Sequence, residues 1–279
     1  MKFTRRTFLT DTAALLAIST NARAFEKIRN SFANRKKGLA GAAPLPSGLL
    51  TSWYYDWGAH PAVTGMPTKN PSMRFFPMIW GWNPQSTPKL INSIRQQHPS
   101  VLLGFNEPDN PTQSNIPVQV AIDAWPQFEG IAKDLVSPAC AHPLGPWMQE
   151  FMRAVDKKKL HIDSIGVHNY PGPNADGFLE MLHKVHHLYG RPIWVTEFAV
   201  ADWKAKHGIA NRYTVAETAR FMKTTCTEMN KLSWVNGYAW FPFLGDMKRL
   251  GNQSEALATS VLFDSMGHLT ELGRLYATL

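Results

Sequence analysis

Eight short apolar runs, separated by stretches of helical periodicity, constrain the fold of this chain more than any other feature. They cover residues 50–56, 75–80, 101–107, 135–140, 164–170, 193–198, 237–241 and 261–263. Between them lie amphipathic patterns. The longest spans residues 214–232, with Val215, Ala219, Met222, Cys226 and Met229 three or four apart, and another spans 178–189. Buried runs alternating with helices predict a parallel sheet covered by helices. Eight of them favour closure, so the expected fold class is α/β, a (β/α)8 TIM barrel. No glycine-rich phosphate loop follows the first run, which disfavours a dinucleotide fold, and no cofactor is expected.

Two runs end in glutamate. Leu103-Gly104-Phe105-Asn106-Glu107-Pro108-Asp109 closes one, and Trp194-Val195-Thr196-Glu197-Phe198 closes the other. A barrel carries its chemistry at the C-terminal rim, so both carboxyls are expected there. Two facing carboxyls suffice to cleave a glycosidic bond: one protonates the leaving oxygen, the other attacks the sugar or activates water. The anion of Asp109 or of Glu197 is expected to keep Glu107 protonated. His168 and Tyr170 share a strand face and are candidates to hydrogen-bond Glu197 as an anion. Aromatic residues crowd the same run ends: Trp53, Tyr55 and Trp57, then Trp80 and Trp82, and Trp240. Such rings stack on sugar faces, although for any single tryptophan the barrel core is the ordinary place.

Charge is concentrated at one end. The first 45 residues hold nine Lys or Arg against two acids, and the remainder holds 20 against 19, so the overall +8 belongs to the N-terminal segment. A nearly neutral domain gives no footprint for nucleic acid. Thr4-Arg5-Arg6-Thr7-Phe8-Leu9-Thr10, a short apolar stretch and Ala22-Arg23-Ala24 together read as a twin-arginine export signal over residues 1–24. That stretch is too short for a membrane span, and the protein is expected to be periplasmic or secreted. Residues 25–46, with Arg35-Lys36-Lys37, read as a basic linker, and residues 47–279 as the barrel domain, expected to act as a monomer. Cys140 and Cys226 both sit in apolar patterns and read as unpaired buried residues. His183 and His187 share a helix face, but no carboxylate or cysteine at a suitable spacing completes a metal site.

The motifs carry a resemblance. Phe105-Asn106-Glu107-Pro108 and Trp194-Val195-Thr196-Glu197-Phe198 are similar to the acid/base and nucleophile strands of clan A glycoside hydrolases. With Ser52-Trp53-Tyr54-Tyr55-Asp56-Trp57, Phe76-Pro77-Met78-Ile79-Trp80-Gly81, Ser137-Pro138-Ala139, Val167-His168-Asn169-Tyr170, Tyr238-Ala239-Trp240-Phe241 and Leu269-Thr270-Glu271-Leu272-Gly273-Arg274-Leu275-Tyr276, the chain resembles glycoside hydrolase family 128 from about residue 49 to 276. The resemblance implies a retaining, endo-acting enzyme that cleaves β-1,3-glucan, with Glu107 as acid/base and Glu197 as nucleophile; a clan A glycosidase on another β-glycan and a non-catalytic glycan-binding barrel are the alternative readings. The resemblance also implies that Asn106 binds the 2-hydroxyl of the attacked sugar, that His168 or Tyr170 steers Glu197, and that Trp240 floors the adjacent subsite. Trp53 and Trp80 are further groove candidates. Clan A barrels carry the glutamates on strands four and seven, whereas the runs above place them on three and six. Either a strand hides between Asp56 and Val101 or the first strands are irregular.

Overall fold

The first strand of the barrel is made by residues that read as a linker. In the computed structural model, which describes residues 35–41, 48–61, 73–241 and 255–279, Lys37–Ala40 forms β1 and is buried along its whole length. The export signal at 1–24 and the rest of the expected linker lie outside the described residues, apart from Arg35, Lys36 and Gly41. After β1 come β2 (Trp53–Tyr55), β3 (Arg74–Phe75), α1 (Thr87–Arg95), β4 (Val101–Leu102), α2 (Val118–Ala124), a 3-10 turn (Trp125–Phe128), β5 (Asp134–Leu135), α3 (Pro146–Lys158), β6 (Ile165–Asn169), α4 (Ala175–Tyr189), β7 (Ile193–Phe198), α5 (Val215–Lys231), β8 (Val235–Trp240) and α6 (Glu271–Thr278).

Pairing is parallel throughout these strands. β3, β2, β1, β8, β7 and β6 form one sheet, and β4 and β5 form a second. Parallel bridges join the two sheets at both seams: Met78 with Leu103, and Val136 with Ser164 and Cys140 with Val167. The circuit β1 to β8 is therefore closed, as the α/β barrel reading requires. Glu107 follows β4 and Glu197 lies in β7, the four-and-seven placement. The missing strand precedes residue 50 instead of lying between Asp56 and Val101. The run at 261–263 is no barrel strand; Phe263 makes only an antiparallel bridge to Leu269.

Side-chain alternation divides the core into two. Trp53, Tyr55, Phe76, Met78, Val101, Leu103, Val136, Trp194 and Ala239 pack inside the barrel. Leu102, Leu135, Ile165, Val167, Ile193, Val195, Tyr238 and Trp240 face the helices. The strands approach closely where side chains are small. At Gly104 a Cβ would lie 2.8 Å from backbone atoms of Val136, Ser137 and Pro138, so only glycine fits that seam.

Two expected groove residues are core. Trp53 is buried, lies over Gly38, stacks on Phe76 at 5.0 Å and meets Trp194 edge-on at 5.1 Å. Its indole N–H donates to the carbonyl of Lys36. Trp240 is also fully buried. Alternation along β8 turns Ala239 inward and Trp240 outward, against Phe198, Phe221 and Tyr276, where its N–H donates to the Ser260 carbonyl at 2.7 Å. Neither ring is available to a sugar. Cys140 and Cys226 are buried and unpaired, as expected.

The basic triplet at 35–37 has a structural use. Lys36 Nζ donates to the carbonyls of Leu232, Met229 and Asn230 at the end of α5. Lys37 Nζ, buried, donates to those of Tyr276 and Ala277 at the end of α6. Carbonyls at a helix C-terminus lack intrahelical donors, and a cation there also meets the negative end of the dipole.

Two outcomes follow. Burial pushes the Lys37 amine down to about 8, against an ordinary 10.5, with the charge of Cys226 opposing. A depressed folded-state pKa means that the unfolded chain binds more protons between those values, so stability rises with pH there. Around pH 9 the buried thiols act in the opposite sense, Cys226 pushed up to about 12 and Cys140 also pushed well up by burial. Between pH 8 and 9 the urea midpoint of the unaltered protein is expected to gain relative to that of Lys37→Met; equal slopes would contradict this placement. Trp240→Ala is expected to cost about 3–5 kcal/mol of stability, with turnover per folded molecule near normal. Calorimetry paired with rate measurement checks it, and lost turnover at an unchanged melting temperature would restore Trp240 to the groove.

Candidate active site

One extra residue in β7 aims Glu197 into the barrel. Trp194 points inward and Val195 outward, so regular alternation would turn Thr196 in and Glu197 out. The register shifts at this point on both sides. Val167 pairs with Val195 but His168 pairs with Glu197, and Tyr238 pairs with Val195 but Trp240 with Phe198. Thr196 is the bulged residue, and beyond it Phe198 packs outward while Glu197 faces the interior.

Three donors meet the Glu197 carboxylate. Tyr55 Oη and Trp57 Nε1 each donate to Oε1 at 2.7 Å. Tyr170 Oη donates to Oε2 through a short hydrogen bond. Tyr55 also reaches the Thr196 carbonyl at 3.2 Å, which ties the bulge to the same hydroxyl. Burial pushes the Tyr55 and Tyr170 hydroxyls well up, and the charge of Glu197 adds to it, so both stay protonated donors. A carboxylate bonded this way is held in one orientation.

Glu107 arrives differently. Its backbone is left-handed, with φ 42, a conformation that costs a non-glycine residue of order 1–3 kcal/mol. Its N–H donates to the Ala139 carbonyl at 2.8 Å, fixing the turn beyond β4 against the end of β5. The carboxylate accepts from Asn110 Nδ2 at 2.8 Å and contacts His168 Nδ1 at 3.1 Å. His168 Nδ1 also lies 3.5 Å from Glu197 Oε2, so the imidazole stands between the two carboxylates. The three ligand-type atoms lie within 4.8 Å of one another.

The electrostatics reverse one expectation. Burial pushes the His168 pKa down, but the charge of Glu197 and the hydrogen bond and charge of Glu107 raise it overall. Burial pushes Glu107 up, yet the hydrogen bond and charge of His168, with Asn110 and His142, hold it below the ordinary carboxylate range. Asp109 does not face Glu107: its carboxylate accepts the N–H groups of Ala141 and His142 at 2.8 and 2.9 Å. In the free protein the proton of this cluster thus resides on His168 more than on Glu107.

Glu107, Glu197, Asn106, His168 and Tyr170 converge here as expected. Asn106 is buried and donates to Gln113 Oε1, and its Oδ1 has no protein partner, which leaves an acceptor beside Glu107. Trp80 is 41% exposed and accepts the Asn106 N–H at its carbonyl, which places it beside the pair. Asn110 was not foreseen as a site residue, and Tyr55 and Trp57, expected as sugar-stacking rings, instead donate to Glu197. The signal for that role was present, since Tyr55 shares the inward face with Trp53, and Trp57 ends the same run. Glu107, His168 and Glu197 form a three-ligand cluster among the described residues, whereas His183 and His186 pack their rings on Trp234.

Comparison with known proteins agrees with this geometry. Residues 42–276 match the model of the family described as glycosyl hydrolase catalytic core. The structure is similar to an endo-β-1,3-glucanase of glycoside hydrolase family 128, subgroup I, from Amycolatopsis mediterranei, a glutamate-to-glutamine variant in complex with laminarihexaose. The two share 29% identity with a TM-score of 0.70, covering 87% of this chain and 98% of that one. An exo-β-1,3-glucanase of subgroup V from Cryptococcus neoformans is 25% identical, with TM-score 0.70 and the same coverage. Among curated proteins, alkali-sensitive linkage protein 1 of Schizosaccharomyces pombe is 27% identical over 233 residues, 81% of this chain. The chain spans 40% of that relative's length. With two buried glutamates at the rim of a closed barrel, and a family match over most of its length, the chain belongs to the glycosyl hydrolase catalytic core family.

Proposed function

We propose that this protein is a retaining β-1,3-glucan hydrolase of glycoside hydrolase family 128, with Glu197 as nucleophile and Glu107 as acid/base. The observation that carries the reading is the closeness of the two carboxylates across His168, with an oxygen of each within 4.8 Å of the other. Retaining enzymes hold their carboxyls about 5–5.5 Å apart, whereas inverting enzymes need about 6.5–9.5 Å to admit a water. The substrate class rests on the laminarihexaose complex of the similar subgroup I enzyme. Endo action is part of the proposal, favoured by the higher identity to that enzyme than to the exo-acting one.

Each group has a defined task. Glu197, held by Tyr55, Trp57 and Tyr170, attacks the anomeric carbon. The glycosidic C–O bond breaks, and the leaving oxygen takes a proton from Glu107. The nearest source of that proton is His168 Nδ1, 3.1 Å away. A bound sugar excludes water and makes the Glu107 anion costlier, which draws the proton onto the carboxyl. Glu107, ionised by the first step, then takes a proton from water as the water oxygen attacks the anomeric carbon and releases Glu197. Two displacements leave the configuration unchanged. Asn106 Oδ1 accepts from the 2-hydroxyl, and Trp80 offers a ring to a neighbouring sugar. The proposal extends to export through the twin-arginine route, on the strength of Arg5, Arg6 and the Ala22-Arg23-Ala24 motif.

Glu107→Gln and Glu197→Gln are each expected to reduce β-1,3-glucan hydrolysis at least about a thousandfold with an unchanged circular dichroism spectrum. Proton NMR of the first product should show the β anomer. Early α anomer would reject the double displacement, and residual activity of more than a few per cent in either variant would reject that residue's role.

A further inference from the structure

The loop between β7 and α5 contains an exposed tryptophan on an unusually fixed base. Trp203 is 52% exposed, more than any other tryptophan among the described residues. Its neighbour Asp202 is buried. The Asp202 carboxylate accepts from the Arg212 N–H, Nε and Nη2 at 2.9, 2.8 and 2.6 Å, and from the Lys204 N–H at 3.1 Å. Its own N–H donates to the Ala256 carbonyl at 2.9 Å, and the Ala201 N–H donates to that of Pro171 at 2.9 Å. The backbone on both sides of Trp203 is thereby pinned. The ring is pinned too: the indole N–H donates to the Tyr170 carbonyl at 3.0 Å, and the ring meets Tyr170 edge-on at 5.9 Å.

Tyr170 is the residue whose hydroxyl holds Glu197 Oε2. Its ring also meets Phe241, which meets Trp57, which meets Tyr55, with centroids 5.5–5.8 Å apart. An arc of aromatic rings that contains all three donors of Glu197 thus runs from Tyr55 to Trp203, and the arc ends in solvent. A fixed flat ring packed on the tyrosine that holds the reacting carboxylate suits a pyranose with equatorial hydroxyls, whose faces present C–H groups.

We propose that Trp203 is a stacking platform for a glucose unit next to the bond being cleaved, and that Asp202 and Arg212 are positioning residues that set its orientation. This rests on the glucan-hydrolase reading above. Binding on the ring is made before the transition state, so its loss raises KM more than it lowers kcat. With laminarihexaose, Trp203→Ala is expected to raise KM about tenfold or more, Trp203→Phe to recover most of the loss, and both to keep the melting temperature within about 2 °C. Arg212→Ala should raise KM in the unaltered background and add little in Trp203→Ala, because the two act through one ring. Calorimetric titration of laminarihexaose into Glu197→Gln, with and without Trp203→Ala, should show the same loss of affinity. Unchanged KM and affinity in Trp203→Ala, with normal cleavage by the unaltered protein, would overturn the platform alone. No cleavage of β-1,3-glucan by the unaltered protein would overturn the reading beneath it and the platform with it.

Discussion

A single extra residue in β7 decides what this barrel can do. Without the bulge at Thr196, strand alternation would send Glu197 outward among Phe178 and Phe221, where an unpaired carboxylate is very costly. With it, Glu197 enters the rim where Tyr55, Trp57 and Tyr170 reach it from β2, from the turn beyond β2 and from the end of β6. The Tyr55 hydroxyl bonds both the bulge carbonyl and the carboxylate it exposes. Bulge, donor set and nucleophile geometry therefore stand or fall together.

The second glutamate is set by contrast. Glu197 has three neutral donors, and Glu107 has an amide and an imidazole. His168 stands between the two anions, and their charges raise its pKa against the opposing effect of burial. This places a positive charge between two carboxylates within 4.8 Å of each other, where otherwise one of the pair would have to be protonated. It also stores a proton one hydrogen bond from the group that must donate it. The left-handed backbone at Glu107 places that carboxyl on the imidazole, a local strain tolerated at a working site.

Much of this was legible in the chain. Both glutamates, His168, Tyr170 and Asn106 stand out because polar side chains at the end of a buried strand lie at the barrel rim, where binding and chemistry take place. The helices at 215–231 and 175–189 follow from apolar spacing, and the former begins at a Thr214–Glu217 capping box. β1 was hidden because Lys36 and Lys37 at its start resemble a solvated tether, when they in fact cap two helices far away in sequence. Trp53 and Trp240 were misplaced because aromatic content does not reveal which face of a strand a ring occupies. That depends on bulges and register, which are tertiary facts. Glu107 was expected to be protonated because the sequence shows Asp109 beside it, but the structure turns Asp109 onto the backbone of Ala141 and His142 and inserts His168 instead.

The most direct test is to trap the covalent intermediate. A laminari-oligosaccharide with fluorine at the 2-position of its reducing-end sugar, and a good leaving group there, slows the second displacement more than the first. Intact mass and peptide mapping after incubation should show one glycosyl unit per chain, esterified to Glu197 and absent in Glu197→Gln. An adduct on Glu107, or a fully active protein that forms none and releases the α anomer, would contradict the account.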